Sequence, residues 1–218
     1  MCYNKERRVN LRSNMQTGRN ATFQDDALVY GKAPNPFIKE YLELLAPLES
    51  VLCIGVKESE SAIFLADKGL RVDALDTSDS ALIRLRKHAR ENYVAINVRH
   101  TFLTYWHPNT LYGAVICSYI HLPKNQQKML FTKSFTSLKE GGIFMAELLS
   151  ESQTTFHNRG PKNIGFLYDF NDISTILKSL PCHLLKLSQE VILLNEGEKH
   201  AERASVIRVI ARKVTSAH

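Results

Sequence analysis

An alternation running from residue 50 to residue 149 limits the fold of this chain more than any other feature of its sequence. Short apolar runs, rich in β-branched residues, alternate there with longer segments in which apolar side chains recur at helical spacing. Short apolar runs between helices are typical of parallel strands that are buried on both faces of one sheet. The alternation therefore predicts an α/β fold.

The predicted elements follow one another in order along the chain. The predicted strands are SVLCIG, LRVDALD, VAINVR, YGAVICSY and GGIFMAELL. The predicted helices are PNPFIKEYLELLAPL, ESESAIFLADKG, SDSALIRLRKHAREN and KNQQKMLFTKSFTSL. The first helix has apolar residues at helical spacing, and we expect it to stop at Pro47.

The last part of the chain departs from this rhythm. After a short helix, NDISTILKSL, come two long strand candidates, LLKLSQEVILLN and RASVIRVIARKV, separated by EGEKHAE. A link this short requires an antiparallel hairpin, because a parallel pair needs a longer crossover. We therefore expect seven strands, with the last one antiparallel and inserted between two others.

Length and composition favour a single globular domain. The chain has 218 residues, of which 44% are hydrophobic and 23% charged, so it can bury a core. Residues 1–27 are polar and without periodicity, which predicts a flexible N-terminal arm followed by one domain over 28–218. The four cysteines form no CxxC pair, and neither a signal peptide nor a long apolar span is found. We expect a cytoplasmic protein that does not bind a membrane.

A basic stretch lies on the helix predicted after the second strand. It comprises Arg84, Arg86, Lys87, His88 and Arg90, and the opposite helix face is apolar. A solvated helix face accounts for these charges without a partner. The net charge of +6 is also modest for a dedicated nucleic-acid binder, so nucleic acid is an unfavoured partner. No histidine cluster has metal-ligand spacing, and no metal site is predicted.

The ends of the first two strands carry the clearest candidate binding residues. Gly55 closes the first strand, and Asp76 closes the second 21 positions later. An acid at this distance can accept hydrogen bonds from both ribose hydroxyls of a nucleoside cofactor. Asp76 could equally cap the helix that follows it. Both interpretations stay open at the level of the sequence.

The ordered motifs resemble class I S-adenosylmethionine-dependent methyltransferases, in particular the tellurite-resistance and thiopurine-like group. The motifs that carry the resemblance are YGKAPNPF, LDTSDSAL, IHLP, LKEGGIFMAEL, RGPK and EGEKHAERASVIRVIARK, and it covers about residues 28–213. It implies a Rossmann-like, seven-stranded sheet with helices on both faces. It also implies S-adenosylmethionine as cofactor and methyl transfer to a small-molecule acceptor.

The resemblance also implies a set of site residues. Those expected at the cofactor are Gly55, Val56, Lys57, Glu58, Asp76, Thr77, Thr101 and Ser118. Tyr119 and His121 would bind the acceptor or take its proton, or else hold a loop. Tyr30, His200 and Arg203 would lie at the substrate or form a lid, although a solvated turn explains the last two equally well.

The chain departs from the family pattern at its first loop. Family members usually carry Gly-x-Gly-x-Gly there, whereas this chain has Lys57 and Ser59 at two of the glycine positions. Thr101 and Gly113 also stand where the family often has acids. A catalytically inactive protein that keeps the fold as a binding or interaction scaffold is therefore the alternative to an active enzyme.

Overall fold

A computed structural model describes residues 33–56, 59–156, 161, 163–195 and 201–215. The predicted arm over 1–27 lies outside these residues, so the domain boundary stays a prediction. The described part contains one sheet whose strands are β1 (Ser50–Ile54), β2 (Arg71–Asp76), β3 (Ile96–His100), β4 (Tyr112–Ser118), β5 (Leu138–Leu149), β6 (Cys182–Asn195) and β7 (Ala201–Lys213).

Six α-helices lie in the described residues. They are α1 (Pro36–Glu40), α2 (Leu42–Leu45), α3 (Ser59–Asp67), α4 (Asp79–Glu91), α5 (Lys124–Thr136) and α6 (Phe170–Lys178). Short 3₁₀ turns span Ala46–Leu48, Glu151–Phe156 and Ile164–Phe166. None of the described helices is long and apolar enough to cross a membrane.

The strand order is β3-β2-β1-β4-β5-β7-β6. The pairs among β1 to β5 are parallel, whereas β7 runs antiparallel to both β5 and β6. The predicted seven strands and the inserted antiparallel strand are thereby confirmed. The order reverses between β1 and β4, and in an open α/β sheet this switch point is where ligands bind.

Apolar packing on the two faces of the sheet forms two large clusters. One cluster joins α5 and α6 to the sheet through Phe131, Phe144 and Ile173. The other joins α1, α3 and α4 to the opposite face through Phe37, Leu65 and others. Successive residues of a strand point to opposite faces, so the buried strands contribute to both clusters. The carboxyl ends of β1, β2, β4 and β5 are thereby fixed relative to one another.

The predicted first helix is broken into two pieces. Helix α1 ends at Glu40, and Tyr41 has φ −105° and ψ 22° before α2 begins. Phe37 in α1 and Leu45 in α2 are 1% and 0% exposed. The break lets both anchors reach the core, which helical periodicity alone does not reveal.

Candidate cofactor and reaction site

Several of the predicted site residues meet at the carboxyl-terminal edge of the sheet. Gly55 follows β1, Asp76 ends β2 and Ser118 ends β4. Because β1 lies between β2 and β4, these three positions are neighbours across the switch point. The sequence prediction that the site forms here agrees with the topology.

The Asp76 carboxylate joins the loops that follow β1 and β2. The Val56 N–H donates to Oδ2 at 2.7 Å, and the Ser78 N–H donates to Oδ1 at 2.8 Å. Each carboxylate oxygen can accept two hydrogen bonds. The Thr77 N–H also contacts the carboxylate, so one of its four acceptor positions remains for a ribose hydroxyl.

The alternative role of Asp76 as a helix cap is filled by another residue. Ser78 is the N-cap of α4, and its side chain accepts from the Ala81 N–H at 3.3 Å. Burial raises the pKa of Asp76. The hydrogen bonds that Asp76 accepts from backbone N–H groups, including those of Ser78 and Val56, oppose that rise. Asp76 is thus held by backbone donors outside the helix, with acceptor capacity to spare.

Thr77 and Thr101 lie beside Asp76 but contact it through backbone atoms. The Thr101 N–H donates to the Asp76 carbonyl at 3.1 Å. His100 Nε2 lies 3.0 Å from the Thr77 carbonyl, and His100 Nδ1 lies 3.2 Å from the Asp79 carboxylate. The end of β3 therefore braces the loop that carries Asp76.

A small cavity lies beside Gly55. Gly55 has φ +78°, a conformation that disfavours any other residue, and Ile120 packs against it. The described lining residues Ile38, Cys53, Gly55, Val56, Ser61, Ala62, Ile116 and Ser118 enclose only about 10 Å³. Sites for small ligands commonly measure several hundred Å³. A cofactor could occupy this end of the site only after the covering residues move.

Tyr119 is buried and contributes to a charged network below the site. Its backbone is left-handed, with φ +47°, so β4 ends one residue earlier than predicted. Its hydroxyl donates to Glu147 Oε1, and Arg208 Nε lies 2.6 Å from Glu147 Oε2. Glu147 is 1% exposed, so its charge is compensated in the interior by Arg208. Tyr119 therefore has a structural partner whether or not it contacts an acceptor.

Sequence reasoning missed Asn35, which ties the N-terminal segment to this network. The Asn35 side-chain amide donates to Glu147 Oε1 at 2.8 Å, and its backbone N–H donates to Ser61 Oγ at 3.0 Å. Its Oδ1 accepts from the Phe37 N–H at 2.8 Å and so caps α1. The signal was an Asn before a Pro at a helix start, within the YGKAPNPF motif.

The other predicted residues are less closely tied to the site. His121 is half-buried two positions after Tyr119, and Arg203 is exposed on β7, opposite Leu193 of β6. Tyr30, Lys57, Glu58 and His200 lie outside the described residues, and so does the RGPK motif apart from Pro161. In the described parts of the chain, no group of three His, Cys, Asp or Glu residues could hold a metal ion.

Comparisons with known proteins agree with this architecture. Residues 51–142 match a family model described as a methyltransferase domain. These residues run from β1 into β5 and include Gly55, Asp76 and Ser118. A search of curated proteins by sequence gives no match.

Solved structures with the same fold include several methyltransferases. TehB from Haemophilus influenzae aligns with a TM-score of 0.69 and 13% identity over 82% of this chain and 62% of its own. A methyltransferase from Methanosarcina mazei aligns with a TM-score of 0.66 and 13% identity over 84% of this chain and 100% of its own. The N-methyltransferase NodS from Bradyrhizobium japonicum, in complex with S-adenosylhomocysteine, aligns with a TM-score of 0.61 and 15% identity. The alignment covers 82% of this chain and 88% of NodS.

The chain therefore has the Rossmann-like fold of class I S-adenosylmethionine-dependent methyltransferases, and its residues 51–142 match the methyltransferase-domain model. The resemblance seen in the sequence motifs is confirmed at this level. The chain spans less than two thirds of TehB, and the shared identity is low.

Proposed function

We propose that this protein is an S-adenosylmethionine-dependent methyltransferase that acts on a small-molecule acceptor. The observation that carries the proposal is the Asp76 carboxylate, which two backbone N–H groups orient at the switch point of the sheet. The acceptor capacity that remains on this carboxylate matches a ribose hydroxyl. The likeness to NodS, whose structure contains S-adenosylhomocysteine, supports the same cofactor here.

When bound, the cofactor supplies a sulfonium methyl group that is already activated for attack by a nucleophile. The protein then has to orient the reactants and exclude water. Asp76 and Val56 would hold the ribose side, with Thr77 and Thr101 beside them. Gly55 and Ser118 would flank the methionine side, together with Lys57 and Glu58.

The residues after β4 would serve the acceptor. Tyr119, whose hydroxyl donates a hydrogen bond to Glu147, would contact the acceptor molecule. His121 is the group we assign to proton removal. Tyr30, His200 and Arg203 belong to the proposal as substrate-side residues. A soft nucleophile such as a thiol, a selenide or a tellurium anion fits the resemblance of the sequence motifs.

Calorimetric titration with S-adenosylmethionine and with S-adenosylhomocysteine tests the cofactor. Asp76→Ala should weaken binding at least about tenfold, because a charge-assisted contact is lost. Asp67→Ala removes an exposed carboxylate on α3 and should leave the affinity unchanged. Thermal unfolding separates lost binding from lost folding. A parent protein that binds neither compound at millimolar concentration would refute the proposal.

A transfer assay tests the acceptor. Formation of S-adenosylhomocysteine would be followed with a panel of thiols, selenide and tellurite, each against a no-acceptor blank. His121→Gln should remove the acidic limb of the pH–rate profile if His121 takes the proton. Turnover with a protein or nucleic-acid acceptor, and with none of the small molecules, would overturn the acceptor class.

A binding scaffold without catalysis is the second candidate. The cavity of about 10 Å³ beside Gly55 favours it, since a cofactor does not fit there without movement. The two candidates differ in one measurement, because a scaffold would show no affinity for S-adenosylhomocysteine. We also propose a cytoplasmic location, in keeping with the free thiols of the described cysteines.

A further inference from the structure

A second concave surface lies at the edge of the sheet formed by β2 and β3. It has a volume of about 690 Å³ and is lined by residues from both strands, from the end of α4 and from the segment before β4. Arg71, Arg86, Arg90 and Arg99 all line it. We call this surface the arginine groove. Ordinary small-molecule sites carry only a few charged or polar groups on an apolar lining, whereas this groove carries four arginines beside its apolar residues.

The arginine charges are available to a ligand. Arg71, Arg86 and Arg90 are exposed, and in the described part of the chain none of them lies within ion-pair distance of a carboxylate. Arg99 is half-buried and donates to the neutral side chain of Asn109 at 3.3 Å. The groove therefore presents positive charge that the described residues do not neutralise.

One acidic residue, Asp73, also lines the groove but is turned to an internal partner. It is 9% exposed, and the Tyr112 hydroxyl donates to its Oδ2 at 2.6 Å. The groove thus contains one carboxylate and four arginines. The balance in the groove stays strongly positive.

An exposed aromatic residue adjoins the groove in the sequence. Tyr93 precedes Val94, a lining residue, and is 98% exposed. Its φ of +56° is a left-handed conformation that Gly or Asn normally occupies after a helix. A fully exposed tyrosine at such a position adds nothing to the core. Beside a row of arginines it offers a flat surface on which a base can stack.

The groove begins at the end of β2 that lies away from Asp76. Arg71 begins β2 and Asp76 ends it. At the usual rise of a strand, the two positions are about 16 Å apart. Arg99 is in register with Leu75, so the groove runs from Arg71 along β2 and β3 to a position next to Asp76.

We propose that the arginine groove binds the phosphate backbone of single-stranded nucleic acid, with Tyr93 stacking on a base. Arginines contributed by two strands and a helix suit successive phosphates better than one compact phosphate group. The sequence analysis assigned Arg86 and Arg90 to a solvated helix face. It could not show that Arg71 and Arg99 of the neighbouring strands join them.

The test is fluorescence anisotropy with a labelled twelve-nucleotide uridine RNA, titrated with the full-length protein at several salt concentrations. Arg86→Gln/Arg90→Gln should weaken binding at least about tenfold and reduce the slope of log K against log salt by about 1.4, the value for two lost phosphate contacts. Tyr93→Ala should weaken binding at least about fivefold.

The matched control is Lys139→Gln/Lys178→Gln, which removes the same charge from exposed positions outside the groove. It should change the affinity less than twofold. Thermal unfolding verifies that all variants fold. Crosslinking of a 4-thiouridine RNA, followed by peptide mapping, should locate the label on the segment that contains Tyr93.

Four outcomes would overturn the proposal. They are no binding of the RNA at low salt, equal losses in the control and groove variants, crosslinks that map elsewhere, and binding of ATP or inorganic phosphate in place of the strand. Tighter binding of duplex RNA than of the single strand would refute the stacking role of Tyr93. Failure of cofactor binding at Asp76 leaves these results unaffected, so the two proposals are tested independently.

Discussion

A close backbone contact restricts position 113 to glycine. A Cβ atom at this position would lie 2.1 Å from the Leu48 carbonyl oxygen, far inside van der Waals contact. The acid that the family often carries here therefore cannot be accommodated in this chain. Sequence comparison suggested a weakened site at Gly113, whereas the structure gives a packing reason.

We expect Gly113→Ala to lower the free energy of unfolding by about 3 kcal/mol, because overpacking against backbone has no flexible neighbour to yield. Urea denaturation measures the change. Gly141→Ala is the control, since its Cβ would meet no atom and only its φ of +73° opposes the substitution. Its effect should be about 1 kcal/mol. Equal effects would contradict the packing explanation.

Glu147 is the residue on which the buried network depends. It accepts from Asn35, Tyr119 and Arg208, which come from three separate parts of the chain. Asn35 and Glu147 are 112 positions apart, so no local pattern could have predicted their contact.

Glu147→Gln should lower the free energy of unfolding by about 3 kcal/mol, because a partly buried Arg208 loses its nearest carboxylate. Arg208 would keep Glu190 at 2.8 Å, which limits the loss. The exposed Glu43→Gln provides the comparison and should be nearly neutral. A Glu147→Gln protein as stable as the parent would show that the network adds no stability.

At the scale of elements, the strands and the terminal hairpin could be predicted because their signals are local. Apolar runs and a short polar link suffice for β1 to β7. The break at Tyr41 and the end of β4 before Tyr119 could not be predicted from the sequence, since both depend on where distant residues pack. The same holds for the loop between β3 and β4, whose conformation depends on a lysine from α5.

That lysine is Lys133, whose ammonium group donates to the carbonyls of Leu103, Thr104 and Trp106 at 2.6 to 2.9 Å. Lys133→Met should keep the apolar stem but lose these bonds, at a cost of about 2 kcal/mol. Hydrogen exchange should accelerate in residues 103–106. Lys128→Met, on the exposed side of α5, should leave that exchange rate unchanged.

Strands β2 and β4 are linked across β1 by the hydrogen bond from Tyr112 to Asp73. Burial and this bond raise the pKa of Tyr112 in the folded protein. A raised pKa contributes stability that is complete below the unfolded value of about 10 and is lost as pH rises above it. Above about pH 10 the unfolded chain releases the Tyr112 proton, whereas the folded protein keeps it, so the unfolded state is favoured as pH rises.

Tyr112→Phe should therefore be about 1 kcal/mol less stable than the parent at pH 8, and the difference should narrow by pH 11. Urea titrations at both pH values measure it. Tyr105→Phe, at a 76% exposed position, should match the parent at each pH. A difference that widens above pH 10 would contradict the assignment.

For the molecule as a whole, stability and ligand access meet at α1. Ile38 is 1% exposed, packs with the core on the α1 face and also lines the small cavity beside Gly55. The same contact that completes the core would therefore close the methionine side of the proposed site. A cofactor that binds here has to displace this packing, and the free energy of that step reduces its apparent affinity.

Ile38→Ala separates the two roles. We expect a loss of about 3 kcal/mol in the free energy of unfolding, as for other large-to-small core changes, together with a several-fold gain in affinity for S-adenosylhomocysteine. Leu45→Ala is the control, since Leu45 is equally buried but does not line the cavity. It should lose similar stability and gain no affinity. Calorimetry and urea denaturation on the three proteins decide the matter, because equal affinities throughout would mean that α1 does not restrict the site.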